Sequence, residues 1–150
     1  MRYTTVVDRG LSYSARQFAE EIDIYLADPD GWVSRGVSFT RSSSKPDMVI
    51  HLTPVSALPK LGCDTTLSCA EFKGRHVHLN ADRWLHGAPK SRLPLEEYRQ
   101  YMVTHEVGHI LGYEHQRCPG PGVPAPIMIQ QTRGIGVCTP NTHVTPYDRR

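Results

Sequence analysis

The sequence predicts an α+β domain, on three observations: an alternating strand pattern at the N-terminus, two well-separated helical segments, and several short β-rich runs between them. RYTTVVD (2–8) alternates polar and apolar residues, as a strand with one buried face does. A helix is predicted from about Ser14 to Ala27, because Phe18, Ile22 and Leu26 recur at four-residue spacing and Ala15, Ala19 and Tyr25 widen the stripe. DPDGW ends it with turn chemistry. GVSFT (36–40) and DMVIHL (47–52) read as short strands separated by RSSSKP, and GRHVHLN (74–80) as another, with Val77 and Leu79 on one face. The second helix begins near Pro94, with Glu96 and Glu97 suited to the positive end of its dipole, and stops at Gly112. Beyond it, CPGPGVPAPIM is too rich in Pro and Gly for regular structure, so packing, a disulfide or both must hold that tail.

A chain of 150 residues with 39% hydrophobic content can bury one core, and neither repeats nor a linker divide it, so residues 1–150 read as a single domain. Net charge is +2 with acids and bases interspersed, and no basic stripe points to nucleic acid. No run approaches the ~18 apolar residues of a membrane span. MRYTTVVDRG lacks a basic region followed by an apolar stretch, so no signal peptide is read in it. The chain is read as a monomer. Four cysteines allow three pairings. Cys63–Cys69, closing a short loop, and Cys118–Cys138, closing the proline-rich one, are the favoured pairs; free thiols in a reducing compartment are the alternative. Neither pair has C-x-x-C spacing, which argues against cysteine-bound zinc.

The decisive stretch is HEVGHILGYEH, residues 105–115. Helical positions four apart differ by about 40° around the axis, so His105 and His109 share a face and can grip one ion from successive turns. Glu106 lies beside them, placed to reach a metal-bound water as general base without ligating the metal. Gly112 breaks the helix, which lets the chain turn and bring His115 back as a third ligand. Three uncharged histidines with one open position make a catalytic rather than a structural zinc set. Five fixed positions at ~5% usage each would arise by chance in roughly 5 × 10⁻⁵ of chains this long.

H-E-x-x-H-x-x-G-x-x-H is the metzincin zinc signature, and residues 105–115 resemble it at every fixed position. Met128, in PAPIMIQQT, stands where metzincins carry the methionine of their Met-turn. The chain also resembles, over nearly its whole length, a bacterial family of small, mostly secreted candidate metallopeptidases. NADRWLHGAP, YRQYMVTHEVGHILG and CPGPGVPAPIMIQQT are the landmarks. That resemblance implies a twisted mixed β-sheet with a backing helix and an active-site helix, forming an upper subdomain of about residues 1–112. It implies an irregular lower subdomain of about 113–150 across a cleft. It further implies a secreted zinc endopeptidase with one catalytic Zn2+; its peptide substrate is expected to lie extended along an edge strand, since main-chain pairing would fix the scissile carbonyl over the metal. Gln130 occupies the place of the astacin tyrosine, so no switching fifth ligand is expected. A zinc-bearing binding module without turnover, and a zinc hydrolase of a non-peptide amide, are the competing readings; retention of Glu106 argues against the first.

The remaining histidines, His51, His76, His78, His86 and His143, read as strand or surface residues. Of these, His76 and His78 are the strongest accessory ligand candidates, since they share a strand face. Trp84 and Tyr101 read as core; Tyr113 and Tyr147 are oxyanion-donor candidates that read rather as packing residues.

Overall fold

The computed structural model describes residues 1–150. Its centre is a five-stranded mixed sheet of order β2-β1-β3-β5-β4, comprising β1 (Arg2–Val7), β2 (Thr40–Arg41), β3 (Met48–Thr53), β4 (Cys69–Glu71) and β5 (His76–Asn80). All neighbours are parallel except β4, which pairs antiparallel with β5 and forms one edge. The helices are α1 (Ala15–Leu26), α2 (Ala81–His86) and α3 (Leu95–Ile110).

Strand alternation sets what each face of the sheet does. Met48, Ile50 and Leu52 of β3 and Val77 and Leu79 of β5 point to one face and are nearly inaccessible. They join Phe18, Ile22, Tyr25 and Leu26 of α1 and Tyr98, Met102, Val103 and Val107 of α3 in one core. Ser14 caps α1 by accepting from the Gln17 N–H (3.1 Å), at the place where the sequence puts the start of this helix. Every residue of α3 from Tyr101 to Gly108 is buried, so this stretch of the helix is covered on all sides, while its first turn is exposed. Some of its cover comes from the tail, since Ile127 and Met128 belong to the same core.

Three local expectations change. Residues 36–40 do not form a strand; only Thr40–Arg41 pairs with β1. The preceding backbone is engaged in a 3-10 turn over Trp32–Arg35, closed by Gly36 at φ 80° and by the Val37 N–H donating to the Trp32 carbonyl (3.3 Å). The cysteine-bracketed loop leads into β4, which begins at Cys69 and which its own three residues could not signal. Directly after β5 comes the short α2, capped by the Asn80 side chain, which accepts from the N–H groups of Asp82 (3.0 Å) and Arg83 (3.2 Å).

Both favoured cysteine pairs are disulfides, Cys63–Cys69 and Cys118–Cys138, and no cysteine is free. They are consistent with an oxidising environment. No helix is long and apolar enough to cross a membrane.

Candidate metal centre

The period of α3 places His105 and His109 one turn apart on the same side. The helix ends when Gly112 adopts φ +90°, with its N–H donating to the His109 carbonyl (2.9 Å) and that of Tyr113 to Gly108 (2.9 Å). The chain then reverses, and the Gln116 N–H donates to the Met128 carbonyl (3.1 Å), which seats His115 over the end of the helix. One ring nitrogen from each of His105, His109 and His115 lies within 4.8 Å of the others. The Nε2 atoms of His109 and His115 are 3.0 Å apart.

Backbone carbonyls fix two of the three rings. His105 Nδ1 lies 2.8 Å from the Ile127 oxygen and His109 Nδ1 lies 3.0 Å from the Tyr113 oxygen. A carbonyl can only accept, so both Nδ1 atoms carry the proton and both Nε2 atoms present a lone pair. Burial, then the neighbouring His109, holds His105 down at about 3. Burial and His115 hold His109 at about 4, and burial followed by Arg133 lowers His115. All three are therefore neutral at physiological pH, the form that binds metal. Together they could coordinate a metal ion.

Glu106 follows His105 on α3 and is 7% exposed. Burial alone pushes its carboxyl up to about 8. It lines a cavity of about 300 Å³ together with the three histidines, Tyr101 and Phe72. The β4 residues Cys69 and Ala70 form another wall, so the sheet edge adjoins the site.

Met128 lies buried beneath this assembly, against α3. A Cβ on Gly108 would collide with Met128 Sδ and Trp32 Cζ2, so glycine at this position is what lets both side chains reach the helix backbone. Trp32 in turn donates from Nε1 to the Thr104 carbonyl (2.7 Å) and packs on Tyr113 at 4.3 Å between ring centroids. Trp84 and Tyr101 are core residues, as the sequence suggests, though the Tyr101 hydroxyl also donates to the Ile129 carbonyl (3.0 Å) and accepts from the Gln131 N–H (2.8 Å).

Two residues that matter here escaped the sequence reading. Asp148, 1% exposed, accepts from the N–H groups of Met128 (2.8 Å), Ile127 (3.1 Å) and Thr145 (2.7 Å) and from the Thr145 hydroxyl (2.9 Å). It thereby holds Ile127, whose carbonyl orients His105. Thr145-Pro-Tyr-Asp148 reads as a turn from its proline, but nothing in that motif names the distant amides it serves. Asn80 is the other. Besides capping α2, its side-chain amide donates to the Thr65 (2.9 Å) and Leu67 (3.3 Å) carbonyls, fixing the disulfide-closed loop beside the cavity. A polar residue at a strand-to-helix junction was the available signal.

Two further groups have ligand atoms within 4.8 Å of one another: Asp8, His51 and His78 on the sheet, and Asp28, Asp30 and His143 at the surface. Nothing among curated proteins matches the chain. A family model does match, over residues 1–144, and the chain belongs to that family, described as "Protein of unknown function (DUF3152)".

Proposed function

We propose that the protein is a zinc endopeptidase of the metzincin type, with His105, His109 and His115 as the metal ligands and Glu106 as general base. The observation that carries the reading is the convergence of three neutral imidazoles beside a buried glutamate that faces the same cavity. The donor set suits zinc: nitrogen ligands only, two of them with their tautomer set by main-chain acceptors. Zinc bound there would supply Lewis acidity to the scissile carbonyl and to the attacking water.

The rest is the work of the chain itself. Glu106 takes the proton of the attacking water on its carboxylate and delivers it to the leaving amine. Its raised pKa matches that task, because a base that must later act as an acid works best near the operating pH. In metal-free protein the carboxyl is mostly protonated at neutral pH, and a divalent cation beside it favours the carboxylate, so loading the site also arms the base. The substrate lies extended along the free edge of β4, where main-chain pairing places its carbonyl above the histidines. Met128 takes the Met-turn role, as the floor under the ligands. Secretion fits the two disulfides.

The test is Glu106→Gln against a diverse peptide library, with metal content measured in both proteins. The variant should keep its zinc and lose ~10²–10⁴-fold in turnover. Fully metallated variant retaining more than about a tenth of wild-type turnover removes Glu106 as the base. A fully loaded wild type that cleaves no peptide removes the peptidase reading.

The same variant has a signature independent of activity. A carboxyl with an unfolded pKa of 4.5 and a folded pKa of about 8 binds more protons folded than unfolded between those values. Stability is therefore lost as pH rises from 4.5 through about 8. Metal-free Glu106→Gln should be more stable than metal-free wild type at pH 9, and the gap should shrink steadily towards pH 4.5. Parallel stability curves across that range would contradict it.

A further inference from the structure

The sheet has a second face, turned away from the core, and it is polar where β1, β3 and β5 adjoin. Because Ile50, Leu52, Val77 and Leu79 point inward, His51, Thr53, His76 and His78 point to this other side. The parallel register sets His51 directly opposite His78 and Val49 opposite His76, so three imidazoles crowd one patch. Asp8 follows the last residue of β1, Val7, which pairs with Leu52, and so arrives beside Thr53.

The contacts are close. Asp8 Oδ1 is 2.9 Å from His51 Nδ1, and the Thr53 hydroxyl donates to Asp8 Oδ2 (2.9 Å) while lying 3.2 Å from His78 Nδ1. On its far side His51 meets His76, Nε2 to Nδ1, at 2.9 Å. The His51 and His78 rings stack with centroids 4.7 Å apart. His78 and Thr53 are buried, with 6% and 0% exposure. One ligand atom from each of Asp8, His51 and His78 lies within 4.8 Å of the other two, a bound that His105, His109 and His115 also meet.

We propose that Asp8, His51 and His78 form a second divalent transition-metal site, separate from the His105 centre, that ties β1, β3 and β5 together. Two imidazole nitrogens and a carboxylate oxygen are a donor set of the zinc class, too rich in nitrogen for calcium or magnesium. His76 stands to His51 as an outer partner stands to a metal-bound histidine, contacting its second ring nitrogen. Two ligands lie on the neighbouring strands β3 and β5, and Asp8 directly follows β1 with its N–H donating to the Leu52 carbonyl (3.0 Å), which marks the site as structural. Since β5 carries β4, the ion would stiffen the edge that borders the cavity. The competing account is an ion-free hydrogen-bond network ending on Asp8.

Metal titration separates the two. His105→Ala/His109→Ala protein, stripped with a chelator and dialysed, is titrated with zinc alone, and its thermal unfolding is followed with and without the metal. About one equivalent should still bind, and melting should move up with zinc. Adding Asp8→Asn and His78→Gln should abolish both effects; if that protein folds poorly by circular dichroism, His51→Gln in the same background takes its place. A folded His105→Ala/His109→Ala protein that binds no zinc overturns the proposal, as does an equivalent that survives the sheet substitutions. The two sites are told apart by the wild type. A single equivalent lost with His105→Ala/His109→Ala leaves only the α3 centre standing, and a single equivalent lost with Asp8→Asn/His78→Gln leaves only the sheet site.

Discussion

Helix α3 and the tail after Gly112 meet at the same three histidines, yet they are ordered by different physics. In α3 the backbone satisfies itself, and its period alone places His105, Glu106 and His109. From Tyr113 to Arg150 the only regular element is a 3-10 turn at Gln131–Arg133, so position must come from elsewhere. It comes from side chains that reach main-chain atoms: the buried Asp148 to Ile127 and Met128, the buried Tyr101 to Ile129 and Gln131, and the exposed Arg35 to the Thr145 carbonyl (2.7 Å). An irregular segment can be as precise as a helix, provided that side chains take over the role of the ladder.

If that account holds, the tail fails through its pins before the helix fails through its sequence. The largest effect should follow Asp148→Ala, which strands buried amides of Ile127, Met128 and Thr145 and costs roughly 3–5 kcal/mol at ~1–3 kcal/mol per orphaned donor, softened by relaxation. Because Ile127 orients His105, metal affinity should also fall by about 10–100-fold. Chemical denaturation and zinc titration read the two effects, and an unchanged metal affinity would break the proposed link from Asp148 to His105. Next comes Cys118→Ser/Cys138→Ser, which opens a loop of sequence separation 20. A loop of that size is worth about 3 kcal/mol, and the loss should be confined to stability, with zinc content kept at neutral pH. Gly108→Ala tests the other side of the comparison, since helix propensity favours alanine while Met128 and Trp32 leave no room for it. Overpacking should win by ~1–3 kcal/mol; a melting temperature equal to wild type would show that Met128 yields freely.

The same contrast explains what was legible in the sequence. His105, Glu106 and His109 follow from a period, and His115 from a glycine that breaks it, so four site residues could be placed by number. Phe18, Ile22 and Leu26 marked α1 for the same reason, and the alternation in 74–80 marked the buried pair Val77 and Leu79. What could not be read was whatever depends on a partner distant in the chain. Cys69–Glu71 becomes a strand only because β5 lies beside it, and the predicted strand at 36–40 loses its start because the Trp32 turn claims the Gly36 and Val37 N–H groups. Asp148 looks like any turn aspartate until the fold brings the Ile127 and Met128 amides to it. Neither did alternation alone reveal that His51 and His78 would face each other, since that depends on the register between β3 and β5.

The place of Asp148 in the chain has a consequence for the order of assembly. Synthesis completes α3 well before it reaches this residue. Until then a nascent chain carries the paired histidines of the helix, but the carbonyl that holds His105 in orientation is itself unanchored. A metal met at that stage would find two loosely held rings instead of a formed centre, and would exchange freely. Tight capture of a metal by the proposed centre is therefore expected to be a late event, restricted to chains whose Thr145–Asp148 turn has closed.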